Sequence, residues 1–261
     1  MSTPAVPQLA VAPTLVEEGN EPLRLTVFGE PGVGKTSLAL SFPRPLIINT
    51  DEGLEGDALR QLRNRQGYEH SPAGYKDLEA LYFWIRTNAE QFDTIIIDSL
   101  DELVRLLLDE IVSEGKGLRA AKTMGQSVTD FVPEQAEYQA SQRQLHTFLS
   151  ALRGLRKNIV VTSAIREPKP LSAGGVAGAK RTVDVSPGLQ RIVNRWSSVM
   201  GELVVISLKE GDPPSRVLSV DPASARSTNK TRYSSLLPYV VIPEGGGYPE
   251  IVAAIEAGRN A

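Results

Sequence analysis

Gly29-Glu30-Pro31-Gly32-Val33-Gly34-Lys35-Thr36 decides how the rest of the chain is read. The eight residues satisfy G-x-x-x-x-G-K-[ST] at every position. Glycines let the backbone curl so that successive N–H groups converge on one anion. An apolar run, Leu23 to Phe28, leads into the turn, and Ser37-Leu38-Ala39-Leu40 continues it as a helix whose positive end faces the same anion. Lys35 can then reach the β and γ oxygens of a nucleotide, and the Thr36 hydroxyl is placed to ligate Mg2+. The expected phosphate-binding segment runs from Gly29 to Ser37, and the expected ligands are ATP and Mg2+. A chance glycine-rich turn would lack this strand and helix.

Outward from the loop, short apolar runs alternate with helical patterns. Pro45 to Thr50 is closed by Asp51-Glu52, Thr94 to Ile97 ends in Asp98, and Asn158 to Thr162 ends in Ser163. Continuous β-branched runs of this kind suit parallel strands covered on both faces. Between them, Leu100, Leu103, Val104, Leu107, Leu108 and Ile111 recur at helical spacing, as do Tyr138, Leu145, Leu149 and Leu152. Leu203 to Leu208 and Val217 to Val220 flank Gly211-Asp212-Pro213-Pro214, an antiparallel hairpin pattern. The expected class is α/β, with a mainly parallel central sheet flanked by helices and a C-terminal antiparallel extension. Residues 1–21, with three prolines, read as a disordered tail, 22–243 as one domain, and 244–261 as a tail or short helix. Residues 168–188 and 222–232 read as two long loops. Trp84 and Trp196 fall at helical spacing with aliphatic residues and are expected in the core, with Ser186-Pro187 opening the helix that holds Trp196.

Composition narrows the function classes. Over 261 residues the net charge is −3, so nucleic acid could be held only through local patches. The absence of cysteine removes disulfides, thiolate zinc sites and cysteine nucleophiles, and the two histidines, His70 and His146, are too far apart for a local ligand pair. No apolar run approaches the ~20 residues that span a bilayer. With no basic and apolar leader pattern, a cytoplasmic location is expected and no membrane partner.

A phosphate loop calls for an acid at a neighbouring strand tip. Asp98, after Ile95-Ile96-Ile97, is expected to hold Mg2+, and it can also cap the helix opening at Ser99. For activating water, Glu52 at the second strand tip is the first candidate, with Asp51 and Glu102 as alternatives. Lys35, Glu52 and Asp98 form the expected catalytic set.

Together these residues resemble the RecA-core P-loop ATPases, and in particular phage-encoded ATP-binding proteins labelled phage nucleotide-binding protein or AAA domain. Some members are single-strand annealing or recombination proteins. The resemblance runs from about Leu23 to Pro243 and is specific at Gly29–Thr36, Asp51-Glu52-Gly53 and Ile95–Ser99. It implies a RecA-like fold, with Lys35 and Thr36 on phosphate and magnesium, Glu52 as catalytic glutamate and Asp98 as metal partner. Ser99 stands where AAA+ enzymes place a glutamate, and Ser163-Ala164 where a γ-phosphate sensor is common. Lys230-Thr231-Arg232 resembles a K-x-R element that reaches a neighbouring subunit's nucleotide, which implies a homo-oligomer. A solvated basic loop is the other reading of the same residues.

Local charge is the remaining signal. Arg166, Lys169, Lys180 and Arg181 against Glu167 give +3 over 166–181, and Arg226, Lys230 and Arg232 give +3 over 226–232. RecA-like proteins hold single-stranded DNA with loops in similar places, so Arg166, Lys169, Lys180, Arg181 and Arg226 are candidate DNA contacts, although neither loop carries an aromatic residue for stacking. The leading expectation is a phage recombination or replication ATPase acting on single-stranded DNA. A nucleotide-gated accessory module with negligible turnover and a small-molecule kinase are the alternatives.

Overall fold

Alternation along β4 (Thr94–Asp98) shows how the two cores are built: Ile95 and Ile97 enter one, and Ile96 enters the other. The same split repeats in β2 (Pro45–Asn49), where Leu46 and Ile48 face one side and Ile47 the opposite side. In β5 (Asn158–Ser163), Ile159 and Val161 oppose Val160. Side chains alternate across a strand, so a run of consecutive isoleucines requires apolar cover on both faces. The structure is a computed structural model that describes residues 21–51, 53–115, 133–168, 180–207, 214–234 and 236–257.

The cover on the first face comes from α3 (Tyr75–Thr87), α4 (Leu100–Glu114), α5 (Gln135–Arg153) and α6 (Pro187–Trp196). The second face is covered by α1 (Lys35–Ala39), α2 (Gly56–Asn64) and α7 (Tyr248–Ala257), through Leu38, Leu62, Ile251 and Ile255. Residues 244–257 thus include a helix packed on the sheet, while residues 1–20 of the expected tail lie outside the described residues.

Among the described residues the main sheet has nine strands. β1 (Arg24–Phe28) lies between β5 and β8 (Val199–Ile206), parallel to both, and β4 and β2 continue the parallel order to β3 (Tyr68–His70). On the other side β8 turns antiparallel into β9 (Ser215–Ser219), which pairs with β11 (Tyr239–Ile242), and β10 (Lys230–Thr231) pairs antiparallel with the start of β8. A separate two-stranded ladder joins β6 (Ile165–Arg166) to β7 (Thr182–Val183). The mainly parallel sheet with an antiparallel C-terminal extension is as the sequence implied. Strands β3, β6, β7, β10 and β11 were not expected from the pattern, and β7 and β10, each only two residues long, fall in the stretches 168–188 and 222–232 read as loops.

The tryptophans divide. Trp196 is 7% exposed, and its indole Nε1 donates to the Leu149 carbonyl at 3.0 Å. Trp84 is 39% exposed and corrects the core expectation: it stacks on Phe92, with ring centroids 6.2 Å apart, and meets Tyr68 edge-on at 5.9 Å. Leu78, Leu81 and Ile85 fill the buried stripe of α3, which leaves Trp84 on its flank.

Candidate nucleotide site

After Phe28 the chain must reverse within a few residues to enter α1 at Lys35. Gly34 closes that reversal at φ +94°, a conformation that a Cβ disfavours. Gly29 is needed for a different reason, since a Cβ there would lie 2.5 Å from the Leu203 carbonyl oxygen of β8. The loop is therefore seated against the sheet at one end and curled at the other. With α1 only five residues long, an anion in the loop would be met by the loop's own N–H groups and Lys35 more than by the helix end.

Lys35 folds back into the loop, its Nζ donating to the carbonyls of Gly29 and Glu30, each at 2.9 Å. Burial holds its pKa below the ordinary lysine value, against the opposing charges of Asp98, Asp101, Asp51 and Glu30. The next residue, Thr36, donates its hydroxyl to Asp98 Oδ2 at 2.8 Å, and Thr162 donates to the other oxygen, Oδ1. Asp98 is 6% exposed. Burial pushes its carboxyl above the usual range, while the Thr162 and Thr36 hydroxyls pull it back; the Asp51 charge adds to the rise and Lys35 opposes it. A hydroxyl and a buried carboxylate, side by side, are the oxygen donors that suit Mg2+, a hard cation that takes one or two carboxylates and fills its shell with phosphate and water. Among the described residues no group of three or more His, Cys, Asp or Glu side chains could hold a metal ion.

The expected water-activating acids are placed as follows. Glu52 lies outside the described residues. Asp51 is exposed and caps the Gly53 N–H at 2.8 Å, next to Thr50, whose hydroxyl ties β2's end to the Ser99 carbonyl at 2.7 Å. Glu102 is paired with Arg105, which donates through Nε at 2.8 Å. Asp101 accepts from the Ala164 N–H at 2.9 Å and so anchors the end of β5.

Two neighbours of the loop escaped the sequence reading. Thr162 reads as a strand residue, and only the parallel pairing of β5 with β4 brings its hydroxyl to Asp98. Arg216 on β9 lies so close to Gly34 that a Cβ there would meet its Nη1 at 2.7 Å, while Nη2 donates to the Pro243 carbonyl at 2.6 Å. No local motif marks Arg216, because the hairpin return alone brings it to the loop.

The basic stretches are closer to each other than their separation suggests. Arg181 donates its N–H to the Arg226 carbonyl at 2.9 Å and its own carbonyl accepts from Thr228 at 2.8 Å, an isolated bridge joining the two loops. Their charge is less free than a count along the chain implies, because carboxylates distant in sequence fold against it. Arg166 pairs with Asp184 at 2.9 Å, and Arg226 lies 3.6 Å from Glu202. Arg181, one of the candidate DNA contacts, is 15% exposed and touches Glu30, Glu167 and Glu202, so little of its side chain faces solvent. Lys180 is half-buried, and Lys169 lies outside the described residues.

Lys230 and Arg232 sit elsewhere. Thr231 is level with Val199, which is level with Leu25 at the start of β1, whereas the phosphate loop leaves the end of β1. Lys230 Nζ donates to the Asn194 carbonyl and Arg232 Nη2 to the Arg195 carbonyl at 2.7 Å, both at the C-terminal end of α6, where cations are favoured. Burial, then Arg232 and Arg24, lower the Lys230 pKa.

Among the described residues no helix is long and apolar enough to cross a membrane. No curated protein matches the chain. A family model described as AAA domain matches residues 21–233, the span that carries the phosphate loop, Asp98 and every strand of the parallel sheet. With the loop curled at the end of β1 and its threonine joined to a strand-end aspartate, the chain belongs to the AAA domain family, a P-loop ATPase-type family.

Proposed function

We propose that the chain is a Mg2+-dependent ATPase that acts on single-stranded DNA in phage or prophage recombination or replication. One observation carries the nucleotide part: Thr36 and Asp98, from different elements, meet at 2.8 Å beside a half-buried lysine folded into the loop. Lys35 would exchange the Gly29 and Glu30 carbonyls for phosphate oxygens, and Thr36 and Asp98 would hold the cation. Bound Mg2+ would neutralise charge developing on the β and γ oxygens. Glu52 is the proposed base, with Asp51 beside it. Glu102 is less suited, because Arg105 already holds its carboxylate.

The DNA part is supported by exposed Arg166 and Arg226 near the bridge that unites the two loops. A homo-oligomer is supported by the place of Lys230 and Arg232, at the end of the sheet away from the chain's own loop, where only another copy's nucleotide could meet them. The engagement of Asp51, Asp101 and Glu102 favours a second reading, a nucleotide-gated binding module with negligible turnover.

Steady-state ATP hydrolysis with and without single-stranded DNA, at low and moderate salt, separates the two. Stimulation that weakens with salt and is lost in Lys35→Ala and Glu52→Gln supports the ATPase. Tight MgATP binding with no turnover in either condition would replace it with the binding module.

A further inference from the structure

Arg181 joins the phosphate loop to the rest of the fold through one guanidinium. Nη1 donates to Glu202 Oε1 at 2.7 Å, Nη2 to Glu30 Oε1 at 2.6 Å and also to Glu167 Oε1, and Nε to Glu167 Oε1 at 2.7 Å. The three acceptors are not equivalent. Glu202 is 2% exposed and level with Phe28, the residue before the loop, so it holds the arginine from within. Glu30 and Glu167 are half in water. The backbone of Arg181 is also fixed, by the bridge to Arg226 and Thr228. One guanidinium thus has a rigid inner partner and two partners free to turn outward.

We propose that Arg181 is a phosphate-positioning residue of the nucleotide site, held on Glu30 until a polyphosphate takes Glu30's place. The proposal rests on the nucleotide-binding reading above. Glu30 is the second residue of the loop, and its backbone carbonyl accepts from the Lys35 ammonium at 2.9 Å, so its side chain branches from the segment that would receive phosphate. An incoming polyphosphate repels that carboxylate, and a half-exposed glutamate turns into water at small cost. Arg181 is held back, since leaving would give up its 2.7 Å bond to the buried Glu202 and leave that carboxylate only the more distant Arg226, 3.6 Å away. The Nη2 N–H that Glu30 gives up is then presented to the phosphate, and the half-exposed Glu167 can turn away to free the rest of a planar fork that suits phosphate oxygens. The exchange needs one side-chain rotation and no movement of the sheet.

The test is calorimetric titration of the full chain with a non-hydrolysable ATP analogue and Mg2+, alongside thermal unfolding. Three variants are compared: Glu30→Gln, the double variant Arg181→Gln with Glu202→Gln, which leaves no buried charge unpaired, and their combination. Glu30→Gln is expected to tighten binding about threefold to tenfold, and the double variant to weaken it roughly tenfold. In the double-variant background Glu30→Gln is expected to bring a clearly smaller tightening, the part due to its charge alone. Equal tightening in both backgrounds would show that Glu30 acts only by its charge and would overturn the proposal. So would wild-type affinity in the double variant with an unchanged unfolding midpoint. If the double variant fails to fold, Arg181→Lys keeps a charge on Glu202 without the fork. Weaker binding with a diminished Glu30→Gln gain supports the proposal, and wild-type behaviour overturns it. Failure of the nucleotide reading is distinguishable, because the wild-type chain would then bind no nucleotide or Lys35→Ala would bind it undiminished.

Discussion

Thr36 and Asp98 are 62 residues apart in sequence and 2.8 Å apart in space, the hydroxyl donating to a carboxylate that burial disfavours as an anion. Because the folded pKa lies above the unfolded one, the proton is held more tightly in the folded chain. That contribution is complete below the unfolded pKa and is lost as pH rises through the folded pKa. Asp98→Asn is therefore expected to raise the unfolding midpoint of the nucleotide-free chain at neutral pH, by about 2–4 °C for each kcal/mol relieved. The gain should shrink as pH falls towards the ordinary carboxylate range. Differential scanning fluorimetry across pH 4–8 reads this, with loss of the Mg2+ effect on nucleotide affinity as the functional counterpart.

Lys35→Ala removes the ammonium that the Gly29 and Glu30 carbonyls hold inside the loop. Nucleotide affinity is expected to fall about tenfold to a hundredfold, the worth of one or two charge-assisted hydrogen bonds. Circular dichroism should show the fold retained, and calorimetric titration gives the affinity.

Gly29→Ala sets a methyl group against the backbone of β8, which cannot step aside as a flexible side chain would. A loss of about 1–3 kcal/mol is expected from urea unfolding, as for other overpacked sites. Nucleotide affinity should fall with it, because the loop's entry shifts.

Trp196→Phe leaves the Leu149 carbonyl without its indole donor in a buried place. The expected loss is about 1–3 kcal/mol. Trp84→Phe, on the half-exposed flank of α3, should cost clearly less. Chemical denaturation of both variants makes the comparison, and equal losses would contradict it.

Arg232→Ala and Lys35→Ala are each expected to hydrolyse ATP poorly. If Arg232 serves a neighbour's nucleotide, mixing the two restores activity, since an intact loop of one copy can meet an intact arginine of another. A mixture no more active than its parts would place Arg232 only at the end of α6.

What was legible in the chain followed from local rules. Gly29 to Thr36 needs specific residue types at fixed spacing, and the isoleucine runs need two apolar faces, so the loop and the parallel sheet could be read directly. Asp98 was legible because it ends such a run. Thr162, Arg216 and Glu202 were not, since each reaches the loop only through strand order, and strand order is a property of the whole sheet. The loop charges were overcounted for the same reason: Asp184, Glu202 and Glu30 neutralise arginines far from them in sequence. Trp84 shows the limit of helical spacing, which identifies a stripe but not its width. Strand β3 is only three residues long, too short for its alternation to stand out.

If Lys230 and Arg232 reach a neighbouring copy's nucleotide, as proposed, their position constrains symmetry as well as chemistry. Two copies related by a twofold axis present the same surface to each other, so a donor at one end of the sheet and a receiver at the other cannot both be satisfied in a lone pair. Contacts of this head-to-tail kind repeat with a direction, closing into a ring or continuing as a helix. In an open helix the terminal copies differ: one keeps a phosphate loop that no neighbour completes, and the other keeps a basic pair with nothing to reach. Growth and disassembly at the two ends would then follow different nucleotide rules.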